Sequence, residues 1–164
     1  MQRRNAWGEV LLGSLLAVVV VGLAAVGGAM YWDRAESRDE QQTRTELAGL
    51  AKDQIPAILG SDYQTIRNSS AQAYQMMTPE FRKQYEDTSN QKIIPEAINR
   101  KVMSQVSVVG VGVLEAQRTS GSVLVFMNRT VTGKSGQPLY DGSRLQVDYQ
   151  KLDGRWLIQN ITVV

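Results

Sequence analysis

The chain has 164 residues, with 18 Lys and Arg against 16 Asp and Glu, and it contains neither Cys nor His. Those two absences exclude disulfides, thiolate nucleophiles, imidazole-based triads and Cys/His zinc sites, and leave only a carboxylate-based metal or acid–base site open. The net charge of +2 is spread over interspersed residues of both signs, without a basic stripe interleaved with aromatics, so no nucleic-acid surface is expected.

The first element is Val10 to Met30, an uncharged stretch rich in Leu, Val, Ala and Gly. As a helix it would cover roughly 31 Å, the thickness of a bilayer's hydrocarbon core. Trp7 precedes it and Tyr31 and Trp32 follow it, which puts amphipathic rings at both headgroup levels. A cleaved signal peptide has an apolar region of only about 7–15 residues and lacks this aromatic flank. The expectation is a transmembrane helix over 10–32 behind a cytoplasmic tail of residues 1–9. Flanking Lys and Arg nearly balance, but a long C-terminal domain translocates largely regardless of charge, so the expected topology is N-terminus in, C-terminus out. Ala24/Gly28, Ala25/Ala29 and Gly13/Ala17 are small residues four apart, which would allow helix–helix association through the span.

Residues 33–46 are polar and read as a tether or as an exposed extension of the membrane helix. The exported domain is placed at 47–164, long enough for one core. Leu47, Leu50, Ala51, Ile58 and Ile66 recur with helical spacing, interrupted at Pro56, where a kink or break is expected. Asp62 and Tyr63 read as a polar turn between helices, with the lining of a cone mouth as the alternative. A second helix is predicted from Ile66 to Met77, with Met76 and Met77 as core filler. Thr78-Pro79-Glu80 then has the composition of a helix start, with Thr as cap, Pro at the first turn and an acid at the positive dipole end. Phe81 and Tyr85 would face inward. Asn90 reads as a stop, and Pro95 as the opening of a short helix burying Ile94, Ile98 and Val102.

After Ser104 the period becomes two. Gln105 to Ala116 carries apolar residues on both parities and reads as a strand buried on both faces, with Gly110 and Gly112 bending it, admitting a helix or flooring a pocket. Ser122 to Thr132 is a strand, Gly133 to Gly142 a loop, and Arg144 to Leu152 a strand with Leu145, Val147 and Tyr149 inward. Asp153-Gly154 is a type I′ hairpin signal before Arg155 to Val164, with Trp156 and Ile158 on one face. The predicted fold class is therefore α+β, helices packed on a curved, four-stranded antiparallel sheet. Asn68, Asn128 and Asn160 begin N-x-S/T triplets, which are common by chance and receive no role.

The run Lys151 to Ile158, together with Val125 to Asn128, Thr130 to Thr132 and Ser143-Arg144, resembles the C-terminal half of the actinobacterial Mce-associated membrane proteins. That family is similar in turn to the nuclear transport factor-like cone fold and to the periplasmic bridge component of type IV secretion systems. The resemblance implies a plasma-membrane scaffold that stabilises or bridges subunits of an Mce-type lipid importer, with those subunits or other envelope proteins as partners. A carrier of a small apolar ligand in an open cone and a bridge-like secretion component are the alternatives. No enzyme activity is expected: Asp148 and Tyr149 are neighbours on a strand and cannot both point into one cavity. No catalytic residue, metal or cofactor site is assigned.

Overall fold

The computed structural model describes residues 40–164. The expected tail and membrane span, 1–32, lie outside the described residues; among those described, no helix is long and apolar enough to cross a membrane.

Helix α1 covers 40–59, so the part of the polar segment from 40 to 46 is helical. Its buried positions are Thr43, Leu47, Ala51, Ile55 and Ile58, one stripe at i+4 spacing that closes with a step of three. Arg44 pairs with Glu40 one turn earlier at 2.8 Å and donates Nη1–H to Val113 O at 3.4 Å, so this pair flanks the buried stripe at the edge of the sheet. The expected break at Pro56 is absent. Proline lacks only its own amide, and its carbonyl still accepts from the Gly60 N–H at 2.8 Å to close the last turn. The helical rhythm stops at 59, so Ile66 belongs to the next helix.

A two-residue strand, β1 (Ser61–Asp62), precedes α2 (Ile66–Tyr74). Asp62 Oδ1 accepts from the Gln64 N–H at 2.9 Å, an Asx turn that accounts for this polar corner. Helix α3 (Pro79–Thr88) starts as its sequence predicts, with the Thr78 side chain accepting from the Phe81 N–H. Asn90 does not stop it. A π-helical turn, Ser89–Ile93, carries the chain directly into α4 (Ile94–Arg100). That extra residue per turn rotates the inward stripe, so Ile94 and Ala97 are buried while Ile98 is 37% exposed rather than buried. Ile66, Ile94 and Ala97, with Val102 against them, form a small cluster apart from the main core.

The sheet has five strands, not four, in the order β1-β2-β3-β4-β5, all antiparallel. The fifth is β1, which pairs with the start of β2 (Met103–Ala116). Strand β3 (Ser120–Thr132) templates β4 (Pro138–Leu152) along its whole length, so residues 138–142, expected in a loop, are strand. The Asp153-Gly154 turn has both residues at positive φ, 50° and 78°, as a type I′ hairpin requires, and leads into β5 (Arg155–Val163).

The β2 strand is not buried on both faces. A bulge between Val108 and Gly110 shifts its register against β3, so the half-buried inward residues are Val106 and Val108 before it and Val111 and Val113 after it. Val109, the extra residue, is 67% exposed. Gly110 and Gly112 consequently lie opposite Phe126 and Leu124 on the outer face, and among the described residues no helix atom lies within 4 Å of where their Cβ would stand. On the inner face Val123, Val125, Met127, Leu145, Val147, Tyr149, Trp156 and Ile158 meet the α1 stripe, Ala73, Tyr74 and Met77 in one core. The outer edge of β5 is partly covered: Ile158 N–H donates to Met76 O at 2.8 Å and Thr78 N–H to Ile158 O at 2.9 Å.

Candidate functional site

Helix α1 occupies the space a cone-shaped sheet would leave for a ligand. Leu47, Ala51 and Ile55 are fully buried against Val123, Val125, Val147 and Ile158, and at the β2–β3 hairpin Gly121 leaves no room for a Cβ beside Leu47. Along this length the interior is filled with the chain's own side chains.

One polar cluster fastens α1 to the β4–β5 hairpin. Trp156 Nε1 donates to Glu46 Oε2 at 2.9 Å, Gln42 Nε2 donates to Glu46 Oε1 at 3.0 Å, and Lys151 Nζ lies 3.8 Å from the same carboxylate and 5.1 Å from the Trp156 ring centre. The Gln42 amide first, then the Trp156 N–H, hold the Glu46 carboxyl below its ordinary value, with Lys151 adding and burial opposing. A lowered pKa means the folded state favours the ionised form, so the contribution is present above the ordinary carboxylate value and is lost as pH falls through the lowered one. Because Glu46 is partly exposed, its size is at most about 1 kcal/mol. In Glu46→Gln the stability deficit against the parent, read by denaturant melts, is expected to shrink from about pH 6 to about pH 3; a pH-independent deficit would mean the charge plays no part.

Beyond Ile58 the helix ends and the filling stops. Between the end of α1, helices α2, α3 and α4, the starts of β2 and β4 and the end of β3 lies an open cleft of about 610 Å³. Ile58, Ile66, Ala97, Val102, Val131 and Leu139 give it an apolar lining, with Ser69, Ser70, Ser89, Ser104 and Tyr85 between them and Glu96, Arg100 and Arg129 also on its wall. Burial first, then neighbouring Tyr74, pushes the Tyr85 hydroxyl above its ordinary pKa, so it is neutral at physiological pH. Arg129 and Asp141 face each other across β3 and β4, joined by Nη2–Oδ2 at 2.8 Å, and Ser143 Oγ donates to the same Oδ2 at 3.2 Å. The Arg129 Nε–H is buried and, among the described residues, has no hydrogen-bond partner.

Asp148 and Tyr149 point to opposite faces. The Tyr149 ring is in the core, while Asp148 accepts from Gln146 Nε2 at 3.0 Å and Asn160 Nδ2 at 3.4 Å. Met77 is core, Met76 packs beside it, and Phe81 and Tyr85 pack on that core, their ring centres 5.9 Å apart. Asp62 and Tyr63 form a turn and do not converge on the cleft's charged wall. Among the described residues no group of three or more acidic side chains could hold a metal ion. Arg129 and Glu46 stand in no local motif that marks them as site residues. The available signal for Arg129 was a charge on the same parity as Val125, Met127 and Val131, an inward position where a cation is unusual.

No family model matches the chain. An outer membrane protein of Mycobacterium tuberculosis is 25% identical over 153 residues, 93% of this chain and 96% of that protein. An uncharacterized protein of the same organism is 29% identical over 170 residues, 99% of this chain and 77% of its own length. Among solved structures, an IcmL-like type IV secretion system protein of Legionella pneumophila superposes with a TM-score of 0.64 at 11% identity, covering 74% of this chain and 91% of that one. The VirB8 protein of Agrobacterium tumefaciens gives 0.58 at 12% identity, covering 75% and 92%. The described domain therefore shares the fold of these secretion-system proteins. None of these names carries the Mce designation.

Proposed function

We propose that this chain is a membrane-anchored, non-catalytic component of a multi-subunit envelope assembly, whose domain bridges partner proteins on the far side of the membrane. The observation that carries this is the filled interior: with α1 seated on the inner face, most of what the domain can offer is its outer surface. Val109 and Phe126 are exposed there, at 67% and 42%. The lack of His and Cys, and the placing of Asp148 and Tyr149 on opposite faces, support a binding role over an acid–base one.

Fold likeness to secretion-system proteins favours a bridge-like secretion component over an Mce importer subunit, which rests on the sequence resemblance alone. The apolar stretch 10–30 would tether the domain beside co-anchored partners, where weak interfaces suffice because effective concentration is high. The test is complementation of a deletion strain. Replacing residues 1–32 by an unrelated membrane span is expected to restore function at least in part, and removing them to abolish it. Full rescue by the untethered domain would contradict the bridging role.

A further inference from the structure

The cleft past Ile58 belongs to neither the filled core nor the outer surface, and its composition is that of a ligand site. Pockets of about 300–1,000 Å³ with an apolar lining and a few polar groups are the ordinary form of small-molecule sites, and this one measures about 610 Å³. We infer that the cleft binds a single-chain amphiphile, its hydrocarbon chain along Val102, Val131 and Leu139 and its anionic head on the guanidinium of Arg129. This goes beyond the bridging role and does not depend on it.

Three observations converge. Leu139 is 68% exposed at the cleft although it lies on the inward parity of β4, so an apolar wall stands uncovered there. A guanidinium has five N–H donors; Asp141 takes one from Nη2, and the Arg129 side chain is 40% exposed, so among the described residues its other Nη donors stay open to an approaching group. Asp141, itself held by Ser143 Oγ, fixes the plane of that guanidinium, and a carboxylate approaching it can be bound in the two-pronged manner for which arginine is suited. A neutral apolar molecule would cover Leu139 but leave the exposed part of the guanidinium without an acceptor; an anionic amphiphile supplies both.

The experiment uses the full chain in phosphatidylcholine nanodiscs, photolabelled with a diazirine-bearing palmitate and mapped by peptide mass spectrometry. Label is expected in the peptides holding Val102 and Val131 to Leu139, with hexadecanol needing at least about tenfold more than palmitate to displace it, the loss of roughly one charge-assisted contact. In Arg129→Met the two competitors are expected to become equal, and Leu139→Glu, at an exposed position, to remove the label while leaving the melting midpoint unchanged. Label confined to residues 1–39, label that persists in Leu139→Glu, or equal competition by palmitate and hexadecanol on the parent would each overturn the inference. The comparison of competitors on the parent stands whether or not either variant folds.

Discussion

Trp156→Ala is expected to destabilise the domain by about 3–5 kcal/mol, the range for removing a buried large aromatic side chain. Trp156 is 8% exposed and belongs to the main core, so most of that loss is lost packing and the cavity left behind. Its indole also donates to Glu46 and lies beneath Lys151, so the substitution removes the polar fastening of α1 to the hairpin as well. Trp156→Phe keeps much of the packing and loses the N–H, and should cost about a third as much. A melting midpoint within a degree or two of the parent in the Ala variant would show that the ring is not part of the core.

The second large effect is expected at Ala51, the centre of the α1 stripe and fully buried. Ala51→Asp places an unpaired carboxylate against the inner face of the sheet, and an uncompensated buried charge costs about 3–5 kcal/mol. Against the roughly 5–15 kcal/mol that holds an ordinary domain together, this is enough to release α1 or to unfold the domain. Native-state hydrogen exchange distinguishes the two. Loss of protection confined to 40–59 would mean the sheet survives alone; loss throughout would mean that α1 is integral to the core. Unchanged protection everywhere would contradict the packing of α1 on the sheet.

The parts of this fold that were legible in the sequence are those in which one local signal had one meaning. Asp153-Gly154 between two alternating runs specified its hairpin, the clean alternation of Leu145, Val147 and Tyr149 specified an inner face, and Thr78-Pro79 specified a helix start. The misread parts are those decided by a neighbour. From Val106 to Val113 valines stand on both parities, a pattern that cannot reveal where a bulge switches the inward set, and it imitates a strand buried on both sides. Residues 138–142 carry Pro and Gly, local marks of a loop, yet β3 offers a full-length partner and the ladder prevails over propensity. Strand β1 has only two residues and no period at all. Asn90 is a plausible helix end, overridden where Ser89 is buried and the chain turns through a π-helical step into α4. The cleft was illegible for a similar reason: Arg129, Asp141 and Leu139 are brought together only by the β3–β4 register, and no local motif announces them.

The central claim, that the domain works by joining envelope proteins through its outer surface, is tested most directly by photocrosslinking in living cells. Benzoylphenylalanine placed at the exposed positions Val109 and Phe126 of the full-length chain is expected to give discrete adducts with other envelope proteins, lost when the outer face carries Gly112→Arg and Leu124→Glu. The same probe at fully buried Val125 is expected to give none. Adducts absent at both exposed positions, in cells where the chain restores function, would contradict the bridging account.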